Sequence, residues 1–193
     1  MGAGQGESRT HLETLDRRSG VGGQSCKLCP YEEANDQKET EKMTQEVKTK
    51  AKAMFPSVEW FKAVGDIVNN DPGYKHIGTC DSAVGLKVPD LQKYYLLTFE
   101  AFDVADVKEV SETDAENTDF WMEMSYAKWR EMIENIKANG RADLHHTLNT
   151  IDLEEPEGLA RSHDGYRRDA FYRFNQSFQY FFDVTAQIDT SFV

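Results

Sequence analysis

From Tyr166 to Phe182 the chain reads YRRDAFYRFNQSFQYFF, a run that holds eight of the 22 aromatic residues in a sequence of 193. Phe171, Phe174, Phe178 and Phe181 recur at the three- and four-residue steps of one helical face, which predicts a single long helix from about Gly158 to Asp189. A face this rich in rings has to be covered by something apolar: a packed sheet, a partner chain or a bound lipid-like molecule. Tyr172, Tyr180 and Phe182 lie off that stripe, so aromatic surface is expected on more than one side of the helix.

The charge balance narrows the choice of partner. With 34 acidic residues against 22 basic ones the net charge is -12, and nucleic acids and anionic membranes both select for clustered Lys and Arg. Arg167, Arg168 and Arg173 form one short basic stripe among the rings, with Asp164 and Asp169 beside them to pair with it. No run of about 18 apolar residues occurs, so no transmembrane segment is expected. The first twenty residues lack the apolar stretch of a secretory signal. Gly2 opens like a myristoylation site, but Gly6 stands where that motif needs Ser or Thr. Three cysteines cannot all pair within one chain, which fits a reducing compartment, and the protein is expected in the cytoplasm.

Two regions differ in composition. Residues 1–53 are polar, Gly-rich and charged, with too few large apolar groups to offset the entropy of ordering, and are expected to form a flexible, disordered tail. Residues 54–193 are expected to form the folded domain. Ser57 is placed to cap a helix over residues 58–69 that carries Trp60, Phe61, Val64 and Val68 on one face, and Asp71-Pro72 opens a shorter one. Strand patterns follow at 79–88, at 94–102, which is apolar on both faces, at 104–111 and at 118–124, where Phe120, Met122 and Met124 share a face. Ser125 and Gly140 bracket another helix with Trp129, Ile133 and Ile136 inward. The expected class is α+β: a twisted, mainly antiparallel sheet of four to five strands covered by helices, with a long C-terminal helix.

Candidate chemistry is sparse. Cys26 and Cys29 have C-x-x-C spacing, but no second ligand pair follows and their flanks suit neither a zinc site nor a redox motif. His145 and His146 are adjacent, so their rings point about 100° apart on a helix; Asp143 with His146 is the pair that could hold a metal or act as a base. Glu100 and Asp103 end the most apolar strand, where burial would raise a carboxyl pKa, and Glu100 is the acid to watch. No nucleophile elbow, phosphate loop or dinucleotide fingerprint is present; Gly20–Gly23 follows no strand. The expectation is therefore a non-enzyme with no catalytic residue, no metal and no cofactor.

The segments FPSVEWFKAVGDIVNNDP, YYLLTFEAF and TDFWMEMSYAKWREMIENIKANGRAD together resemble the sterol carrier protein-2 family of lipid-binding domains over about residues 54–145. The resemblance implies a helix-covered sheet with an apolar tunnel for sterols, fatty acyl chains or other hydrophobic molecules. Where the family has a short G-K-L-x-I-x-G-D strand before its last helix, this chain has HHTLNTIDLEEPEGLA, which leaves a fifth strand open. Together these readings predict binding, sequestration or transfer of a hydrophobic small-molecule ligand. Its wall would be formed by Phe120, Met122, Met124, Phe171, Phe174, Phe178 and Phe181, apolar and adaptable side chains facing one another between strand and helix. The competing class is an accessory subunit that docks its aromatic helix on a catabolic enzyme or, as a homodimer, on itself.

Overall fold

The computed structural model describes residues 51–193; residues 1–50, with Gly2, Gly20–Gly23, Cys26 and Cys29, lie outside the described residues. The chain enters through strand β1 (Lys52–Phe55) and a cis Phe55–Pro56 peptide, then forms helix α1 (Val58–Asn69). The Ser57 hydroxyl accepts the Trp60 N–H at 3.1 Å, satisfying a donor that the first helical turn leaves open. Asp71 does the same for Gly73 at the start of the one-turn helix α2 (Pro72–Lys75). Strands β2 (Ser82–Val88), β3 (Lys93–Glu100) and β4 (Asp103–Glu109) follow, with a 3₁₀ turn at Pro89–Leu91 between the first two. Helix α3 (Glu112–Glu116) and strand β5 (Phe120–Glu123) lead to helix α4 (Tyr126–Asn139), which Ser125 caps and Gly140 ends in the left-handed region at φ 79°. The remainder comprises helix α5 (Leu148–Glu154), strand β6 (Ala160–Arg161), helices α6 (Gly165–Arg173) and α7 (Asn175–Asp183), a 3₁₀ turn at Val184–Gln187 and strand β7 (Asp189–Phe192).

The main sheet has five strands in the order β4-β3-β2-β5-β6 and is mainly antiparallel, so the α+β class expected from the sequence holds. One pairing departs from a meander: β5 lies parallel to β2, with Val84 opposite Phe120 and Leu86 opposite Met122. The fifth strand exists but is only Ala160–Arg161, paired with Met122 and Trp121. Along β4, Val104 and Val107 both face the core although three residues apart, because a bulge at Thr98/Phe99 shifts the register. Glu100, expected to be buried at the end of β3, is exposed: the strand stops there and Ala101 turns outward at φ 52°.

Three further expectations are corrected by the structure. The long C-terminal helix is two helices, broken at Phe174 (φ -107°, ψ 16°), which ends α6 and begins α7. The break lets Phe171 reach Phe120 while Phe178 and Phe181 reach Phe99, a spread that one straight rod over a twisted sheet does not give. The chain past Asp183 is a 3₁₀ turn and then a strand. The folded part also takes in Lys52 and Ala53, which the sequence reading leaves in the tail, because β1 pairs in parallel with β7 from Lys52–Asp189 to Phe55–Phe192. This second sheet is tied to α1 by the Trp60 indole N–H, which donates to the Thr190 hydroxyl at 2.9 Å.

One side of the main sheet carries the core: Val84, Leu86 and Val88 of β2, Tyr95, Leu97 and Phe99 of β3, and Phe120 and Met122 of β5 are all buried. Side chains from α1, α4, α6 and α7 complete the same cluster. On the opposite face α3 lies against β2 at Gly85. A Cβ at Gly85 would collide with the Ala115 carbonyl oxygen and stand 2.8 Å from the Trp121 Cβ, so the strand accepts only hydrogen there. Gly85→Ala is expected to destabilise the fold by about 1–3 kcal/mol through forced separation of α3 from the sheet, read as a lower urea midpoint. An unchanged midpoint would show that α3 is not held at this contact.

Candidate functional site

The seven residues expected to form the ligand wall come together in space. Phe120, Met122, Met124, Phe171, Phe178 and Phe181 are buried and Phe174 is half-buried. Their rings meet edge to face: Phe120 lies 5.7 Å from Phe171 and 5.3 Å from Phe178, while Phe99 lies 5.2 Å from Phe178 and 5.6 Å from Phe181. These are the distances and tilts of rings packed on one another, so side chains from sheet and helices occupy the space between the layers here. The off-stripe aromatics are also largely engaged. Phe182 packs 5.4 Å from Trp129, and Tyr180 packs on Tyr74 and donates its hydroxyl to Asp71 at 2.7 Å. Tyr172 is 49% exposed, and its hydroxyl bonds to the buried Asp152 at 2.7 Å.

Concave apolar surface lies elsewhere, where the start of α1 approaches the ends of β3 and β4. A groove of about 450 Å³, open to solvent, is walled by Met54, Pro56, Val58, Leu91 and Val193. Its polar members are Ser57, Glu59, Lys93 and Glu109, with Lys93 and Glu109 paired at 2.7 Å on facing strands. Besides Pro56, Tyr95 is a buried member of the lining. Its ring packs 4.9 Å from Phe61, and its hydroxyl is buried with no hydrogen-bond partner. Burial, then the carboxylates of Glu109 and Glu59, push the phenol above its ordinary value, so it keeps its proton at neutral pH. That hydroxyl is sealed from the groove by its burial, so the polar groups the groove presents are Ser57, Glu59, Lys93 and Glu109. None of the seven expected wall residues lines this groove. Little in the sequence signals it, because its lining comes from four separated segments whose alternation reads as ordinary strand and cap.

The polar groups singled out in the sequence resolve as follows. Asp143 accepts the His145 and His146 N–H groups and lies 2.6 Å from the His146 Nδ1, while the His146 Nε2 lies 3.6 Å from Glu131. The hydrogen bond to Asp143 raises the imidazole above its usual value against the opposing effect of burial, and Glu131 adds to the rise. Asp143 is held down at about 2, first by His146 and then by Asn135. Among the described residues the nearby Thr150 hydroxyl is engaged elsewhere, donating to the Leu144 carbonyl. His145 is exposed. Cys80 is free and buried, and burial followed by Asp81 pushes its thiol up to about 12, which leaves no thiolate for nucleophilic work. Among the described residues no group of three or more His, Cys, Asp or Glu side chains is arranged to hold a metal, and no helix is long and apolar enough to cross a membrane.

One ionic cluster went unread in the sequence. Lys87 lies on the α3 side of the sheet with only 4% of its side chain exposed, and meets Glu112 at 2.9 Å, Glu116 at 2.6 Å and Glu123 at 3.2 Å. Arg161 joins through Glu123 at 3.1 Å, and the Trp121 indole N–H donates to the same carboxylate. Burial pulls the Lys87 ammonium down, but hydrogen bonds with Glu116, Glu112 and Glu123 more than reverse this, and its net displacement is upward. All three carboxylates are engaged with this ammonium, so the cluster ties α3 and β5 to β2 and offers no idle acid–base pair.

No family model matches the chain, and no curated protein matches it. Among solved structures it is similar to the solution structure of a conserved hypothetical protein of Thermus thermophilus, named a possible sterol carrier protein. The identity is 19%, the TM-score is 0.46, and the match covers 70% of this chain and 90% of that one.

Two outcomes follow from the ionic contacts. Lys87→Met leaves three carboxylates without their ammonium and is expected to cost about 3 kcal/mol at neutral pH, measured by urea unfolding. In the wild type the Lys87 contribution is complete below the unfolded lysine value of about 10.4 and fades as pH rises through the raised folded value. The His146 contribution is complete below about 6.5 and fades as pH rises through its raised value. Asp143→Asn is expected to bring the His146 titration, followed by its imidazole proton resonances, down to about 6.5 or below; a titration that does not move would refute the pairing.

Proposed function

We propose that residues 52–193 form a non-enzymatic binding protein that withdraws a small hydrophobic molecule from water, and that the molecule seats in the groove between the start of α1 and the ends of β3 and β4. The observation that carries this reading is the solvent-open groove itself, about 450 Å³ and walled by Met54, Pro56, Val58, Leu91 and Val193. The volume falls in the range used by small-molecule sites, roughly 300–1,000 Å³. Each methylene moved from water to the groove contributes roughly 0.8 kcal/mol before ordering costs, so a lipid-like chain supplies the driving force. Sequestration or transfer of a sterol, fatty acyl or other lipid-like compound is the function this supports.

The groove lies between helix and sheet, as a carrier of this kind requires, and none of the packed rings of Phe120, Phe171, Phe178 and Phe181 lines it. Docking through the C-terminal aromatic helix draws less support, since Phe182 and Tyr180 already have partners within the fold.

The test is fluorescence titration with Nile red, a neutral apolar dye. The wild-type protein is expected to bind and brighten it, and Leu91→Glu, which places a charge on the groove wall at a half-buried turn position, is expected to weaken binding about tenfold or more while leaving the thermal midpoint nearly unchanged. Absence of dye binding by the wild type, or binding indifferent to Leu91→Glu, would remove the groove as the ligand site.

A further inference from the structure

We propose that Met54 is a site of reversible oxidation that controls the groove: a peroxide converts its thioether to the sulfoxide, which loosens the hold on a hydrophobic ligand, and reduction restores it. The inference depends on the groove being the ligand site and adds how that site is regulated. Met54 is one of the apolar residues that wall the groove, and it is 50% exposed. Met122, Met124 and Met132 are 2%, 4% and 0% exposed, and Cys80 is fully buried. An oxidant has to reach the sulfur to react with it, so among the described residues Met54 is the accessible one. Its exposure follows from strand alternation along β1. Phe55 turns inward onto the rings of Trp60 and Phe61, while Met54 turns outward and belongs neither to the core nor to the side chains packed on it.

The reaction with hydrogen peroxide is a two-electron oxygen transfer. The sulfur lone pair attacks one peroxide oxygen, the S–O bond forms as the O–O bond breaks, and the transferred oxygen gives its proton to the departing hydroxide. The products are the sulfoxide and water. In the return step two thiols of a reductase supply the electrons, and the oxygen leaves as water while a disulfide forms. The sulfoxide turns an apolar, adaptable side chain into a strong hydrogen-bond acceptor on the groove wall. In the empty groove water satisfies that oxygen. A hydrocarbon chain laid over it strips the water and offers no donor, so the oxidised groove holds such a ligand less tightly. Because Met54 lies outside the core, the change falls on the groove and leaves the fold in place.

The experiment treats the full chain with dilute hydrogen peroxide, locates added oxygen by peptide mass spectrometry and titrates Nile red before and after. Met54 is expected to take up one oxygen ahead of Met122, Met124 and Met132, and dye affinity is expected to fall about fivefold or more with the thermal midpoint nearly unchanged. Nile red carries no hydrogen-bond donor, so it cannot satisfy the sulfoxide oxygen. Treatment with the two methionine sulfoxide reductases, one for each sulfoxide epimer, is expected to restore the affinity. Met54→Leu keeps every cysteine and every other methionine, and its affinity ratio between untreated and treated protein is expected to stay near one. Oxidation of the buried methionines before Met54, a fully oxidised Met54 that binds the dye within about twofold of the untreated protein, a loss that the reductases do not reverse, or the same loss in Met54→Leu would overturn the control by Met54 while leaving the groove standing. Failure of the untreated protein to bind Nile red would overturn the groove and its control together.

Discussion

The contact on which the remainder of this fold depends is the layer of rings between the sheet and the last two helices. Phe99 and Phe120 rise from strands that are not neighbours, and Phe171, Phe178 and Phe181 descend on them from two helices set at different angles. Truncating any one of these to Ala would cost on the order of 3–5 kcal/mol, a large fraction of the stability of a domain this size. The layer also decides where a ligand can be. Where these rings interlock, the space between sheet and helix is occupied, and the groove lies elsewhere, at the start of α1.

The acidity of the chain has a structural share. Asp119, Asp152 and Asp183 each accept a backbone N–H from a different segment, at Ala83, Ala160 and Ala142, and Asp71 caps its own helix at Gly73. Asp71 and Asp152 also take the hydroxyls of Tyr180 and Tyr172, so the polar ends of the aromatic helices are fastened by carboxylates while their faces are fastened by rings. On the other side of the sheet, Lys87 gathers three glutamates from α3 and β5 over Gly85, whose missing side chain lets α3 approach. An excess of acid thus serves to latch loops and helix ends, which is a different use from an open charged surface.

Local signals were legible in the sequence and long-range ones were not. The caps at Ser57, Asp71 and Ser125 and the stop at Gly140 could be read because each depends on chain neighbours alone. The alternation of Tyr95, Leu97 and Phe99 gave β3 for the same reason. The break at Phe174 could not be read, since YRFNQSF holds no Gly or Pro and the turn is imposed by the two targets the rings have to reach. Lys52 and Ala53 looked like tail because Lys52–Phe55 becomes a strand only when Asp189–Phe192 lies beside it, across most of the folded sequence. The groove was hidden for the same physical reason: Met54, Leu91, Tyr95, Glu109 and Val193 have no relation until the fold creates one. The seven residues read as a ligand wall were correctly placed on facing surfaces, but periodicity cannot tell a wall from a filled core, because both need apolar side chains at the same spacing.

The parallel pairing of β1 with β7 has a mechanical consequence. The chain enters the pair at Lys52, at one end, and leaves it past Phe192, at the other. A pull applied between those two points therefore runs along both strands in opposite directions, and the inter-strand bonds are loaded together in shear instead of being peeled one at a time. Tension carried through the chain would meet this short clamp first, with the Trp60–Thr190 hydrogen bond bracing it against α1 and the ring layer sheltered behind.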